Sequence, residues 1–196
     1  MHITVYCGAS LGNQPEYQQA TIAMGQWIAQ KQHTLVYGGG KIGLMGLLAD
    51  TVLAHGGKVI GIMPAFLQAR EPIHTGCTEL MVVDSMAERK ANMLKLADAC
   101  IALPGGAGTL EEIAEVYSWA RIGKNPHPCI LFNKNGFYDP LKALYQRMVE
   151  TGFLSEDAFK KLLFSENFAE IERFIAEYQP PEFRCYVSAV RNSFIF

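Results

Sequence analysis

Long apolar runs and blocks of like charge are both missing from this 196-residue chain. No window approaches the roughly 20 apolar residues that a membrane helix needs, and residues 1–6 lack the basic start and small-residue cleavage site of a signal peptide. A formal net charge of -2 supplies no basic face for a polyphosphate backbone. We therefore expect no membrane partner and no nucleic-acid partner.

Cysteine is scarce, and its positions form no motif. The five cysteines are Cys7, Cys77, Cys100, Cys129 and Cys185, with no CxxC pair, so neither a disulfide framework nor a zinc site is indicated. Cys7, Cys100 and Cys129 stand in apolar runs, which predicts reduced core residues in a cytoplasmic protein. The five histidines lie far apart, and we expect them on the surface or in packing rather than on a metal.

Short apolar runs alternate with longer amphipathic stretches. Strands are predicted at residues 3–7, 34–37, 58–62, 79–83, 99–103 and 129–133. Helices are predicted at residues 15–31, 43–55, 86–97, 110–121, 140–151, 155–163 and 167–178. This alternation predicts an α/β fold with a doubly wound parallel sheet in a three-layer α/β/α arrangement. We expect one domain over residues 1–179, and the sequence leaves the tail at 180–196 open between docking and disorder.

Glycine-rich turns follow the first, second and fifth predicted strands. They are Cys7-Gly8-Ala9-Ser10, Gly38-Gly39-Gly40 and Pro104-Gly105-Gly106-Ala107-Gly108-Thr109. In doubly wound folds, ligands bind at the carboxyl ends of the strands, where the strand order reverses. Three such turns at one sheet edge exceed what the fold alone would require, so the pattern favours a ligand crevice there.

The turn at residues 104–109 suits a phosphate. Glycines let a ligand approach the backbone, and Thr109 with Glu112 matches a capping box that would open a helix. A helix N-terminus favours a phosphate monoester. A tight, capped strand-to-helix turn without a ligand is the competing interpretation. The turn lacks the Gly-Lys-Ser/Thr of a Walker A loop.

The other two turns carry weaker signals. Gly39 and Gly40 suggest close backbone approach, with tight helix packing through Gly43 and Gly46 as the structural alternative. Ser10 either donates its hydroxyl to a ligand or only turns the chain. Elsewhere, Trp27, Trp119, Met24 and Met45 fall at helical core spacing. We expect them in packing.

Two charged segments stand at predicted helix starts. Ser85 and Glu88 form a second capping box, whereas Arg89 and Lys90 oppose the helix dipole and so need solvent or an anionic partner. Glu111 and Glu112 either complement the dipole of the next helix or provide a carboxylate for glycosidic cleavage. The local pattern does not choose between these roles.

These segments together resemble one family. Pro104-Gly105-Gly106-Ala107-Gly108-Thr109-Leu110-Glu111-Glu112 is similar to the PGGxGTxxE signature of the Lonely Guy family, long mislabelled as lysine decarboxylases. The segments at 37–46, 88–90 and 7–10 match in the family's order. The resemblance covers residues 3–178.

The resemblance implies a Rossmann-like fold and hydrolysis of adenosine monophosphate, plain or N6-modified, to free base and ribose 5-phosphate. It implies catalytic roles for Arg89 and Glu112, with Glu111 beside them. It implies substrate binding by a larger set: Ser10, Gly39, Gly40, Glu71, Lys90, Met93, Gly105, Gly106, Ala107, Gly108, Thr109 and Ser118. Pro72 after Glu71, and Ser118 where threonine is usual, depart from the family pattern. A homodimer is expected, with no metal or other cofactor.

Two other functions compete with hydrolysis. A non-catalytic nucleotide-binding module, such as a cofactor carrier, would keep the glycine turns without needing Arg89 and Glu112. A pyridoxal-phosphate decarboxylase would need a Schiff-base lysine with an acidic partner. Lys41 and Lys90 are available, but neither stands in such a framework.

Overall fold

A computed structural model of the chain describes residues 1–182. Its strands are β1 (His2–Tyr6), β2 (Thr34–Tyr37), β3 (Lys58–Pro64), β4 (Glu79–Val83), β5 (Ala99–Ala102), β6 (Cys129–Phe132) and β7 (Leu162–Ser165). Its α-helices are α1 (Pro15–Gln30), α2 (Gly43–Ala54), α3 (Met86–Leu96), α4 (Ala107–Arg121), α5 (Asp139–Glu150), α6 (Glu156–Phe159) and α7 (Phe168–Glu177). Short 3-10 turns occupy Ala65–Leu67 and Lys134–Gly136.

The seven strands form one sheet in the order β4-β3-β2-β1-β5-β6-β7. Every pair of neighbouring strands is parallel. The chain winds outward from β1 to β4, returns to the centre as β5, and winds outward again to β7. The strand order therefore reverses between β1 and β5, which confirms the predicted doubly wound sheet.

Alternating side chains of each strand divide the core between the two faces of the sheet. On β1, Ile3 and Val5 pack in the cluster that holds the buried faces of α1 and α2. Tyr6 packs in the opposite cluster, with residues of α3 and α4. This period of two is what a strand imposes, and it produces the predicted three-layer arrangement.

The seventh strand corrects the sequence analysis. A helix was predicted over residues 155–163, but α6 ends at Phe159 and Leu162 begins β7. The run Leu162–Ser165 pairs in parallel with β6 at the edge of the sheet. A short apolar run has no periodicity that separates strand from helix. The first residues of this edge strand were therefore assigned to the preceding helix.

Two smaller predictions on α4 are also wrong. Thr109 is not the N-cap, because α4 begins at Ala107 behind Gly106 and Thr109 is buried inside the first turn. Trp119 is 36% exposed rather than packed in the core. Trp27, Met24 and Met45 are buried as predicted.

Cys7, Cys100 and Cys129 are free and buried, as predicted. The predicted tail lies outside the described residues from position 183 onward, and Cys185 with it. Within residues 1–182, none of the helices is long and apolar enough to cross a membrane.

Candidate active site

Two of the three glycine-rich turns, those after β1 and β5, meet at the crevice between these strands. The amide of Gly8, just after β1, donates to the carbonyl of Pro104, just after β5, at 3.2 Å. The β1 turn also rests on the start of α2, since the amide of Leu44 donates to the Gly8 carbonyl at 3.0 Å. Ser10 is exposed at this rim. The topology thus brings residues 8–10 and 104–109 together as predicted.

The N-terminus of α4 is open toward this crevice. Its N-cap residue, Gly106, offers no side-chain cap, whereas Ser85 caps α3 by accepting from the amide of Glu88 at 3.1 Å. The first amides of a helix have no partner within it, and Gly106, Ala107 and Gly108 are exposed. These amides and the helix dipole together favour an anion.

Nothing in the fold requires glycine at positions 106 and 108. A Cβ built on Gly106 or Gly108 would meet no atom within 4 Å. By contrast, a Cβ on Gly105 would overlap the side chain of Thr109, so Gly105 has a packing reason. Open space beside Gly106 and Gly108 is what close approach of a ligand to the backbone would need.

Arg89, on the first turn of α3, reaches into the site through a nearly buried side chain. Its Nε donates to the carbonyl of Ile62 on β3 at 3.1 Å. Its guanidinium lies against Gly38, where any Cβ would overlap Nη2. Of the two alternatives predicted for Arg89, solvent or an anionic partner, the structure shows an anionic partner: Glu112, with 3.6 Å between Nη1 and Oε1.

Glu112 is the buried carboxylate of the site. Only 12% of its side chain is exposed. Burial raises the pKa of Glu112, and the positive charge of Arg89 only partly opposes that rise. At 3.6 Å the pair is too long for a hydrogen bond. The carboxylate therefore keeps acceptor capacity for another group.

Lys90 and Glu111 form a separate ion-pair network beside this pair. Lys90 contacts the carboxylate of Glu111, and its Nζ lies 2.8 Å from Oε2 of Glu115. The hydrogen bonds that Lys90 donates, first to Glu111 and then to Glu115, raise the pKa of Lys90. Glu111 is about half exposed, at 54%. Lys90 therefore lies at the site with its positive charge already paired with two carboxylates.

The remaining predicted substrate-binding residues range from buried to exposed. Gly39 and Gly40 are buried in the turn after β2, and Glu71 is half-buried in the segment that crosses this turn. Met93 is buried in the core between α3 and the sheet, so its side chain offers almost no surface to a ligand. Ser118 is exposed on α4, farther along the helix.

The sequence comparisons identify the family. Residues 45–174 match the family described as "possible lysine decarboxylase". The cytokinin riboside 5′-monophosphate phosphoribohydrolase LOG of Oryza sativa subsp. japonica is 43% identical over 178 residues, covering 91% of this chain and 74% of the relative. The enzyme of that name from Rhodococcoides fascians is 42% identical over 180 residues, covering 91% and 89%.

This chain belongs to the cytokinin riboside 5′-monophosphate phosphoribohydrolase family.

Solved structures agree with this family assignment at the level of fold. The molybdenum cofactor carrier protein of Chlamydomonas reinhardtii superposes with a TM-score of 0.67 at 17% identity, covering 90% of this chain and 98% of that one. The molybdenum cofactor binding protein of Rippkaea orientalis gives 0.65 at 22% identity, covering 89% and 96%. At identities this low, the similarity shows only that the Rossmann-like fold is shared.

In this phosphoribohydrolase fold, Arg89 has backbone support that its local sequence does not reveal. The Ile62 carbonyl on β3 and the bare backbone of Gly38, in the turn after β2, both lie against the guanidinium. The triple glycine after β2 was a visible signal, but it was interpreted as a turn for close backbone approach or for tight helix packing, and not as support for Arg89. In residues 1–182, no group of three or more His, Cys, Asp or Glu side chains assembles a metal site.

Proposed function

We propose that this chain hydrolyses the N-glycosidic bond of adenosine 5′-monophosphate, or of an N6-modified form of it, to the free base and ribose 5-phosphate. The observation that carries the proposal is the buried Arg89–Glu112 pair beside the uncapped, glycine-lined N-terminus of α4. Family membership at 43% identity supports the reaction class. We also propose that residues 1–179 form the catalytic domain.

The 5′-phosphate would bind at the start of α4. The amides of residues 107–109 and the helix dipole favour an anion, and the space beside Gly106 and Gly108 admits its oxygens. Ser10 stands across the rim as a hydroxyl donor. Lys90 would add positive charge after releasing one of its contacts to Glu111 and Glu115. Holding the phosphate in this way orients the ribose for reaction.

Glu112 is the proposed catalytic carboxylate. When the C1′–N9 bond breaks, its electron pair leaves with the base, which takes up a proton, and C1′ becomes positively charged. An ionised Glu112 would stabilise that charge or accept the proton of the attacking water. Arg89 would orient Glu112 and the ribose. No metal or redox cofactor enters the reaction.

Glu111 is the weaker candidate for this role. Its carboxylate already contacts Lys90 and stands half exposed, so water screens its charge. Glu112 is largely buried beside Arg89, where the field of a charge acts through a lower dielectric. Glu111 is therefore proposed to position Lys90 rather than to act on the sugar.

A homodimer in the cytoplasm completes the proposal. At the C-terminal end of α4, Trp119 and the C-cap residue Ile122 expose 36% and 59% of their surface, and they lie three positions apart, the spacing of neighbours on one side of a helix. An exposed apolar face of this kind suits a second copy. We expect Ile122→Asp to give a monomer by light scattering. Leu144→Asp, at an exposed position on α5, is the control, and a monomeric wild type would contradict the dimer.

The test is product release by the purified protein. Adenosine monophosphate, isopentenyladenosine monophosphate and adenosine are incubated with it, and free base and ribose 5-phosphate are followed by chromatography. The proposal predicts both products from the two monophosphates and little from adenosine, which lacks the phosphate. The ratio of the two rates would rank the bases.

A carrier function is the alternative to hydrolysis. Its support is the fold shared with molybdenum cofactor carriers, at 17% identity. Tight binding of the monophosphates with no product from any of them would favour this alternative and contradict the hydrolase.

A further inference from the structure

A second polar cluster, formed by Lys41, Asp50 and His74, lies behind the glycine turn that follows β2. His74 is buried, with only 3% of its surface exposed. Its Nε2 lies 2.9 Å from Oδ1 of Asp50, and Nζ of Lys41 donates to the same oxygen at 2.6 Å. We call these three residues the anchor cluster. The catalytic proposal makes no use of them.

Both ring nitrogens of His74 have polar neighbours. The backbone amide of Gly76 donates to Nδ1 at 3.1 Å, so Nδ1 is an acceptor and carries no proton. A neutral imidazole with an acceptor Nδ1 has its proton on Nε2, which faces Oδ1 of Asp50 at 2.9 Å and Nζ of Lys41 at 3.2 Å. Burial opposes ionisation of Asp50, but hydrogen bonds from Lys41 and His74 outweigh it and lower the pKa of Asp50.

The backbone around His74 is joined to the glycine turn. The amide of His74 donates to the Gly39 carbonyl at 3.0 Å, and the amide of Lys41 donates to the Pro72 carbonyl at 2.9 Å. Gly40 and Ile73 form an antiparallel bridge between these two bonds. Residues 72–74 thus lie across the turn, and the His74–Asp50 bond fastens them to α2.

Both ends of this arrangement lead to the active site. On one side, Pro72 directly follows Glu71, the glutamate that the family resemblance predicts to bind substrate. On the other side, Gly39 directly follows Gly38, whose bare backbone supports the guanidinium of Arg89. A buried histidine with both ring nitrogens engaged therefore ties the loop of Glu71 to the turn that backs Arg89.

We propose that His74, held by Asp50, is a positioning residue that fixes the Glu71 loop over the glycine turn and so sets the affinity for the nucleotide. The inference rests on the proposed hydrolase function. It predicts an effect on substrate binding rather than on bond cleavage, because Arg89 keeps its bond to Ile62 and its contact with Glu112 without His74.

Four variants separate an effect of the His74–Asp50 bond on substrate binding from an effect on bond cleavage. Asp50→Ala removes the acceptor at a position that is 53% exposed, so the core is left intact. His74→Leu removes both ring contacts, and His74→Gln keeps a donor for Asp50. His55→Gln changes an exposed histidine at the end of the same helix and is the matched control.

We expect Asp50→Ala and His74→Leu to raise KM for adenosine monophosphate about tenfold, the effect of losing one hydrogen bond to a charged group. We expect kcat to change less than about threefold, because the reacting groups stay in place. His74→Gln should recover part of the loss, and His55→Gln should match the wild type. Amide hydrogen exchange of residues 65–78 should be faster in Asp50→Ala, and added nucleotide should slow it less than in the wild type.

The failures of the two proposals are distinguishable. If the wild type releases no base, the hydrolase proposal is contradicted. Amide hydrogen exchange of residues 65–78, with and without adenosine monophosphate, then still tests whether the His74–Asp50 bond holds this loop. If the wild type turns over and Asp50→Ala, folded by circular dichroism, shows wild-type KM and wild-type exchange, the positioning role is overturned. A loss confined to kcat, with KM unchanged, would overturn it as well.

Discussion

The guanidinium of Arg89 lies 3.6 Å from the carboxylate of Glu112, and each side chain exposes about a tenth of its surface. Arg89 lies in the first turn of α3 and Glu112 in the second turn of α4, on the same face of the sheet. The Ile62 carbonyl and the backbone of Gly38 hold the arginine from behind. Protein groups therefore hold Arg89 in place, whereas the carboxylate of Glu112 can still accept a hydrogen bond or face a positive charge. A charge-stabilising site needs this combination of a fixed frame and an available charged group.

Gly38→Ala should displace Arg89 without unfolding the chain. Gly38 has no positive φ angle, so alanine fits the backbone, but its Cβ would overlap Nη2 of Arg89. Since a misplacement of about 1 Å can cost 10²-fold in rate, we expect kcat/KM to fall by about that factor. Thermal unfolding and turnover are measured on the same preparation. Wild-type turnover in a folded variant would remove Gly38 from the support of Arg89.

Gly108→Ala should separate stability from ligand binding. Alanine is the better helix former, and the position is open in the free protein, so the free energy of unfolding should rise by about 0.5 kcal/mol. If a phosphate approaches the backbone here, KM should rise in the same variant. Denaturant unfolding and initial rates measure the two effects. A stabilised variant with unchanged KM would place the phosphate elsewhere.

Glu112 should govern the acidic side of the pH profile. Catalysis needs its ionised form, and burial raises its pKa. As the pH falls, the carboxylate is protonated at a higher pH than an exposed glutamate, so kcat/KM should start to fall above the ordinary value of about 4.3. Arg89 lowers this pKa, so Arg89→Met should move the decline to higher pH. If kcat/KM of Glu112→Gln still falls in the same way at acidic pH, the titration of another group causes the fall.

Much of the fold was predictable because its signals are local. The apolar runs of β1 to β6 and the glycine turns depend on neighbouring residues, and Ser85 caps α3 as its pattern predicts. The edge strand β7 was not predictable, because Leu162–Ser165 becomes a strand only through its pairing with β6. The start of α4 was misplaced because a glycine N-cap leaves no side-chain signal.

The site was predictable in its members but not in its pairings. The family motifs singled out Arg89, Glu111 and Glu112 together, whereas only the folded structure separates a largely buried Glu112 from a half-exposed Glu111. The bond between His74 and Asp50 joins a loop to a helix. No local pattern connects those two positions, so sequence reasoning left His74 among the packing histidines.

Release of adenine from adenosine monophosphate by the wild type, Glu112→Gln and Glu111→Gln, measured in parallel, tests the proposed chemistry most directly. We expect Glu112→Gln to bind the nucleotide while its kcat falls by about 10²–10⁴-fold, the contribution typical of a catalytic acid or base. Glu111→Gln should lose less than about tenfold. Equal losses in the two variants, or near-normal turnover in Glu112→Gln, would contradict the assignment of Glu112 as the catalytic carboxylate.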